Sequence, residues 1–338
     1  MLIRLSHQKF SAVELRGESL IIHSMQDEAR VLRENVEDVV VSVRGKRIRI
    51  VAFINSNYAW FFSGVEEIQS ERLELGGPYG GGGQLITDDL GNSHLFYFVK
   101  QSAGHGALLR HQRYSEEWSK PQTVSTNVFP DGSSFSVSWH NDHFLHLVYL
   151  SHKEQHLLYR VYNLEHGVWS GAVTFSEMSS SYPQLISAGN LYLFWQEDGE
   201  RIDLKVREKE QNWSSATLLS SGEHHAANVG YACLEDVWNV FWVEGSDFYQ
   251  APFGKWSKHQ KVAREEFEYT WLVHGGLTIP VYEAKERLKP EPEPVEQPIQ
   301  EQSSQIDEHA LLEAQAREKE QRIRQAEEAK LQAALIEK

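Results

Sequence analysis

The chain has 338 residues, of which 33 are basic and 48 acidic, and its formal net charge is -15. That charge argues against nucleic acid or an anionic membrane surface as the main partner. No stretch approaches the roughly 20 apolar residues of a membrane-spanning helix, and the start lacks the apolar run of a signal peptide. We therefore expect a soluble, cytoplasmic protein with no nucleic-acid and no membrane partner.

Short apolar and aromatic runs begin near the N-terminus and continue to about Tyr282. The runs DVVVSVR, RIRIVAFI and YAWFFSG are rich in β-branched and aromatic residues, and short polar turns separate them. These residue types favour strands joined by tight hairpins. Runs that are apolar at consecutive positions, such as HLVYL, predict strands that are buried on both faces.

A Trp-Ser pair recurs at intervals of 43 to 51 residues, at Trp118, Trp169, Trp213 and Trp256. A repeat of this length with four strand-like runs is what one blade of a β-propeller requires. A Trp repeated in register is expected to pack between blades. Neither chain end holds a complete unit, so we expect the two ends to build one composite blade that closes the ring. The prediction is an all-β propeller over residues 1–282 with six four-stranded blades, five or seven being the alternatives.

The repeats also resemble those of a known group of proteins. A Gly-Asn or Asn-Asp turn, then His-Leu-x-Tyr, Leu-x-Tyr-Arg and Trp-Ser, is similar to the repeats of sialidase-like propellers and propeller lectins, over about residues 39–262. The resemblance implies propeller architecture and contact with carbohydrate. The Ser-x-Asp-x-Gly-x-x-Trp box of sialidases does not occur, and no arginine triad, tyrosine nucleophile or acid/base carboxylate can be assigned. The resemblance therefore implies no hydrolysis.

Three local motifs favour structural roles. The run GGPYGGGGQ, Gly76 to Gln84, lacks the Gly-Lys-Ser/Thr of a phosphate-binding loop and is predicted to be a flexible connection between blades. In WHNDHFLH, His140 and His143 are expected to face each other across a hairpin, but His146 would lie on the opposite face, so no metal site is predicted. Cys233, in the apolar run GYACLE, is expected to be a buried structural thiol.

Longer loops lead from the outer strand of one blade to the inner strand of the next, and in a propeller they surround the central channel on one face. These loops carry aromatic, acidic and imidazole groups, namely Tyr79, Asp131, Tyr182, His224, His225 and Glu266. Such groups suit a hydroxyl-rich ligand or a peptide. We predict a non-enzymatic binding scaffold for a carbohydrate ligand or a protein partner, without catalytic residues, metal or cofactor. The alternative is a glycan-processing, sialidase-like enzyme.

The chain changes character after Tyr282. Residues 283–305 include KPEPEPVEQPIQEQSSQ and are predicted to be an extended Pro/Glu linker. Residues 306–338 contain no Gly or Pro and predict a charged α-helix. Lys319 and Lys330 interrupt its apolar stripe, so a weak coiled coil that forms a homo-oligomer and a single solvated helix both stay open.

Overall fold

The computed structural model describes residues 1–284, apart from 6, 8, 27, 66, 102–105, 141–142, 221–223, 235, 264–266 and 275–276. For residues 227–228, 268–274, 277–280 and 282–284 it describes the backbone alone. None of the helices in this part of the chain is long and apolar enough to cross a membrane. The linker beyond Ala284 and the helix over 306–338 lie outside the described residues and stay predictions.

The strands form six units, and within each unit consecutive strands pair antiparallel. The first three units are β1 (Leu2–Arg4), β2 (Phe10–Arg16), β3 (Ser19–Ser24) and β4 (Ala29–Arg33); β5 (Asp38–Arg44), β6 (Arg47–Phe53), β7 (Tyr58–Gly64) and β8 (Ile68–Glu74); and β9 (Tyr79–Thr87), β10 (Ser93–Val99), β11 (Ala107–Tyr114) and β12 (Gln122–Val128).

The fourth unit has a fourth strand in two pieces, because β16 and β17 both pair with β15. The last three units are β13 (Phe135–His140), β14 (Phe144–Leu150), β15 (Leu157–Asn163), β16 (Val168–Trp169) and β17 (Val173–Ser176); β18 (Ser180–Ala188), β19 (Asn190–Asp198), β20 (Ile202–Lys209) and β21 (Thr217–Leu218); and β22 (Ala226–Leu234), β23 (Val237–Glu244), β24 (Asp247–Pro252) and β25 (Gln260–Lys261). A final hairpin comprises β26 (Phe267–His274) and β27 (Leu277–Ala284).

The first strands of the second to fifth units lie next to one another at the centre of the ring, since β5 contacts β9, β9 contacts β13 and β13 contacts β18. The second strands are the most deeply buried: every residue of β10 is buried, as is almost every residue of β6 and β14. Strands sandwiched between neighbouring sheets are apolar on both faces. The prediction of a six-bladed, all-β propeller is therefore confirmed.

Ring closure differs in detail from the prediction. The N-terminal residues supply a complete unit by themselves, because the short segments Leu2–Arg4 and Ala29–Arg33 are strands as well. The C-terminal hairpin is additional: β26 pairs with β1 and β27 pairs with β22, so that the first and sixth units join in one ten-stranded sheet. The composite blade is thus wrong, although the two chain ends do close the ring. The sequence did not predict these two strands, because Leu2–Arg4 has only three residues and the segment ARVLR is too polar.

The prediction that the repeated Trp packs between units is confirmed. Each ring meets aromatic side chains of the preceding unit, edge-on, at centroid distances of 5.0 to 5.9 Å. The pairs are Trp118 with Phe61, Trp169 with Phe96, Trp213 with Tyr159, and Trp256 with Phe194. Edge-to-face contacts of this kind are favourable beyond the apolar area they bury.

The serine that follows the Trp forms hydrogen bonds to the third strand of its own unit. Ser119, Ser170 and Ser214 each accept a hydrogen bond on the side-chain oxygen from a backbone N–H of the third strand, at 2.9 to 3.0 Å. Their own backbone N–H groups donate to the same third-strand residues. The hydroxyl therefore extends the ladder at a point where the fourth strand breaks. Ser257 differs, since it lies exposed in a short 3-10 helix, Trp256–Lys258.

A buried polar chain crosses the third unit. His111 Nε2 and His94 Nδ1 are 3.0 Å apart, and His94 Nε2 lies 3.2 Å from Asp88 Oδ2. Burial lowers the pKa of both histidines, that of His111 well below its usual value. Burial raises the pKa of Asp88, but hydrogen bonds from His94 and Asn92 outweigh that effect and lower it. Two neutral imidazoles satisfy this geometry, with His111 donating to His94 and His94 donating to the carboxylate.

Cys233 is exposed, so the expectation of a buried thiol is wrong. It pairs with Trp238 near the end of β22.

Deleting residues 1–24 removes β1, β2 and β3 and leaves one edge of β26 unpaired. We expect aggregation or the loss of cooperative thermal unfolding, since an opened ring exposes strand edges. Deleting residues 306–338 is the control and leaves every described strand in place. Size-exclusion chromatography and thermal melts test this, and a stable, monomeric form without residues 1–24 would contradict closure through β1.

Trp169→Ala is expected to lower the free energy of unfolding by about 3–5 kcal/mol, because it empties a packed aromatic site. Ser170→Ala is expected to cost about 1 kcal/mol through its lost hydrogen bond to Val161. Ser257→Ala is the matched control and should change stability by less than about 0.5 kcal/mol. Denaturant unfolding gives all three values; equal effects of the two serine substitutions would contradict the role given to Ser170.

Stability should fall as the pH drops below about 6.5, the ordinary histidine value. Because the folded-state pKa of His94 and His111 is lowered, the unfolded chain binds more protons in this range, and the stability present above pH 6.5 is lost on acidification. His111→Gln should flatten the dependence, whereas His166→Gln, an exposed histidine, should not. Unfolding midpoints between pH 8 and pH 5, about 1.5 units on either side of that value, provide the measurement; identical profiles for both variants would refute it.

Candidate functional site

A cavity of about 360 Å³ opens where the first strands of the second to fifth units begin. Among the described residues its wall comes from the starts of β5, β9 and β18, from the residues leading into β13, and from Met1 and Ile3. The polar groups on this wall belong to Asp38, Gln84, Ser133 and Gln184. The cavity therefore lies on the predicted face, at one mouth of the central channel.

Two glycines of the cavity wall allow neighbouring units to pack closely. The run Gly80–Gly83 belongs to strand β9 and is not the flexible connection predicted. A Cβ on Gly82, whose φ is +59°, would lie 2.6 Å from Gly132 Cα, and one on Gly83 would lie 2.6 Å from the Phe53 ring. Only residues without side chains let these backbones approach so closely. The sequence suggested a loop because glycine is rare in strands, but here close packing requires it.

Bulges shape the mouth of the channel. The register of the first strand shifts between Tyr79 and Gly83 in β9, between Ser181 and Gln184 in β18, and between Ala227 and Gly230 in β22. At the second bulge Tyr182 has a φ of +50° and is 56% exposed. Positive φ is unfavourable for a bulky residue, and such strain is often found at functional sites. The bulge thus presents an exposed aromatic ring beside Pro183 and Gln184 of the wall.

Asp38 is held in a fixed orientation. The Tyr79 hydroxyl donates to Asp38 Oδ2, and the backbone N–H of Val39 donates to Oδ1 at 2.8 Å. Burial raises the pKa of Asp38 although both hydrogen bonds act in the opposite direction. Burial and the nearby carboxylate raise the pKa of Tyr79, whose ring is stacked on Phe53 at 4.1 Å. The Tyr79 hydroxyl therefore stays protonated and donates the hydrogen bond that orients the Asp38 carboxylate.

The other polar groups differ in their freedom to bind. Gln84 is engaged, because its amide donates to Phe135 O at 2.8 Å and accepts from Val137 N at 2.9 Å, linking β9 to β13. The Ser133 hydroxyl donates to Asp131 and keeps its lone pairs. The Gln184 side chain makes no hydrogen bond to any described residue. Asp38, Ser133 and Gln184 are thus the groups that can meet a ligand.

The six predicted site residues fall into three groups, and none of the five that the structure describes is part of the cavity wall. Tyr79, Asp131 and Tyr182 lie next to the wall: Tyr79 bonds to Asp38, Asp131 bonds to Ser133, and Tyr182 precedes Pro183. His224 and His225 are exposed before β22, and His225 Nδ1 accepts from Ile202 N at 3.0 Å, away from the cavity. Glu266 lies outside the described residues.

Sequence reasoning missed Asp38 itself. The signal was present, because Asp38 opens the run DVVVSVR as Tyr79 opens the first strand of the next unit. The predicted composite blade has no fourth strand before Asp38, so the sequence prediction does not place Asp38 in a loop between blades. Recognising β4 would have placed Asp38 in a loop of the same kind as the others.

The histidine hairpin does not have the predicted geometry. His140 pairs with Phe144 and not with His143, which has a φ of +61° in the turn. His146 is buried and its Nδ1 lies 2.7 Å from the Tyr159 hydroxyl. In the part of the chain that the structure describes, no three His, Cys, Asp or Glu side chains are grouped as metal ligands would be.

Comparison with known proteins adds little to this description. No family model and no curated protein sequence matches the chain. Among solved structures, the Aleuria aurantia lectin, described as a six-bladed β-propeller that recognises fucose, is 12% identical at a TM-score of 0.44, with 81% of this chain and 95% of the lectin covered.

Two further structures are similar at the same level. SapL1 lectin in complex with α-methyl fucoside is 9% identical, with a TM-score of 0.45 and coverage of 77% and 94%. An ulvan lyase is 7% identical, with a TM-score of 0.47 and coverage of 80% and 87%. Such low values add nothing to what the strand pairing shows about the fold, and the sialidase-like resemblance stays a prediction.

Proposed function

We propose that this propeller is a non-enzymatic binding protein that holds a hydroxyl-rich, glycan-like ligand at the mouth of its central channel. The observation that carries the proposal is the cavity of about 360 Å³ with the oriented Asp38 carboxylate in its wall. A pocket of this size with a few convergent polar groups is typical of small-ligand sites.

The chemistry of the wall suits a sugar. The carboxylate of Asp38 accepts hydrogen bonds from ligand hydroxyls, and charge-assisted bonds of this kind are the strong ones. The Gln184 amide and the Ser133 oxygen supply further polar contacts. The exposed ring of Tyr182 offers an apolar face to the C–H groups of a pyranose. The lectins compared above are described with fucose ligands, so fucosides belong among the first probes.

The same surface also suits a peptide, and a protein partner is the second form of this proposal. In either form the predicted helix over 306–338 tethers or weakly oligomerises the propeller, and the protein works in the cytoplasm. The low cysteine count motivates that location.

One observation favours the alternative, a glycan-processing enzyme. Asp38 is a partly buried carboxyl group with a raised pKa, as a general acid requires. Glycoside hydrolysis uses two carboxylates, however, and among the described residues Asp38 is the only one in the cavity wall. A catalyst would lose turnover on Asp38→Asn, whereas a scaffold has no turnover to lose.

Asp38→Asn should weaken glycan binding by about tenfold, because it removes charge-assisted hydrogen bonds worth about 1.5–3 kcal/mol while keeping an acceptor for Tyr79. Tyr182→Ala should weaken it about fivefold through the lost stacking surface. Glycan-array screening of the full chain followed by calorimetry with the best ligand gives both values.

The matched control is Tyr58→Ala, a tyrosine on β7 outside the cavity wall, which should leave affinity unchanged. Unaltered affinity in both Asp38→Asn and Tyr182→Ala would place the ligand elsewhere on the molecule.

A further inference from the structure

A second cavity, of about 300 Å³, lies between the second and third units. The second cavity shares no wall residue with the cavity at the channel mouth. It lies towards the other end of β5, because β5 begins with Asp38 of the first cavity and ends at Arg44, three residues before Arg47 of the second. Seven extended residues separate the two sites by about 20 Å.

Strand register explains which side chains meet here. Arg49 is paired with Ser63, Ser63 with Gln69, and Phe61 with Glu71. Directly paired residues point to the same face of a sheet, as do residues two apart on one strand. Arg47, Arg49, Phe61, Ser63, Gln69 and Glu71 therefore share one face. The middle of this face is apolar and packs on the third unit, while its end is polar and is covered by Tyr114 of β11.

Arg49 is an unusual residue to find beside such a cavity. It is only 6% exposed, yet its hydrogen bonds go to hydroxyls, from Nη1 to Ser93 Oγ at 2.9 Å and to Thr87 Oγ1 at 3.4 Å. Its Nε has no hydrogen-bond partner. Its guanidinium carbon lies 5.8 Å from the centre of the Tyr114 ring, and burial lowers its pKa. A buried cation without a carboxylate partner is costly.

The nearby charged groups do not neutralise the Arg49 guanidinium. Asp88 acts on Arg49 through space, but its two oxygens are engaged by Asn92 and His94. Arg47 is exposed, lines the cavity and makes no side-chain contact with any described carboxylate. Arg47 lines the cavity together with Glu67 and Glu71, and the buried Arg49 lies beside the cavity on the same face of the sheet. Neither arginine has a hydrogen-bonded carboxylate partner among the described residues.

We propose that this cavity binds a single oxyanion group of a ligand, a carboxylate, sulfate or phosphate, through Arg47 and Arg49. Guanidinium forks fit such groups in a bidentate manner. The Ser63 hydroxyl and the Gln69 amide supply further donors, and Phe61 and Tyr114 form the apolar walls. Glu67 and Glu71 are exposed at the rim and repel additional negative charge, so the site selects one oxyanion and rejects polyanions.

The test is calorimetric titration of the full chain with inorganic sulfate, inorganic phosphate and acetate, at low ionic strength in a buffer without sulfonates. The three probes separate the possible sources of the oxyanion. Saturable binding of at least one probe, with one site per chain, is expected, and pyrophosphate should bind more weakly than phosphate. Absence of saturable binding of all three up to about 50 mM, a Kd weaker than any useful affinity, overturns the proposal.

Two substitutions should act in opposite directions. Arg47→Gln should weaken binding about tenfold by removing a charge-assisted contact. Glu71→Gln should strengthen it about twofold by removing repulsion at the rim. A merely structural role for these residues would not give opposite signs.

Arg72→Gln is the matched control, because Arg72 is adjacent to Glu71, faces the other side of the sheet and pairs with Glu74. It should leave affinity unchanged. Arg49→Gln should abolish binding, provided that a cooperative unfolding transition shows the variant to be folded. If the variant is not folded, the affinity of Arg47→Gln provides the test. Equal affinities for the wild type, Arg47→Gln and Glu71→Gln would refute the site. Asp38→Asn should have no effect here, so this proposal and that for the channel mouth fail separately.

Discussion

Backbone pairing between β1 and β26, close to the two ends of the described chain, closes the ring of six units. A blade that ended in unpaired N–H and C=O groups would be an aggregation-prone edge, so each edge at the closure must find a partner. The hairpin β26–β27 meets this requirement by joining the first unit to the sixth, and β27 also lies against β5 and β9 at the centre. The remaining contacts between units depend on this closure, because each first strand has a neighbour on both sides only in a complete ring.

Packing between the closed units combines an aromatic layer with a polar one. The Trp rings of the Trp-Ser motif insert against aromatic side chains of the preceding unit. Nearer the centre, side chains replace missing backbone partners: Gln84 bridges β9 to β13, Ser136 accepts from Leu185 N, and Gln196 donates to Ala226 O. These bonds link neighbouring units to one another. A cavity whose walls come from five units can therefore keep a defined shape.

Both candidate sites lie where this regular packing is interrupted. At the channel mouth, glycines bring neighbouring units into close contact, bulges shift the strand register, and Tyr182 adopts a backbone conformation that costs about 1–3 kcal/mol. Between the second and third units, a face that is apolar along most of its length ends in two arginines. In each place the chain gives up local stability. A binding role accounts for that loss, since such exceptions to packing rules concentrate at functional sites.

The sequence alone determined the strands, the four-strand period and the place of the Trp between units, because pairing within a unit is local and follows from residue type and turn signals. It did not reveal β1 and β4, which are short or polar, nor the glycine strand Gly80–Gly83, whose conformation is set by the backbone of Gly132 in the next unit. The tertiary structure alone decided that Asp38 and Gln184 share one cavity and that Arg47 and Tyr114 share another. The two residues of each pair belong to different units. Contacts between units depend on which strand edges meet when the ring closes, and a local sequence pattern does not specify those edges.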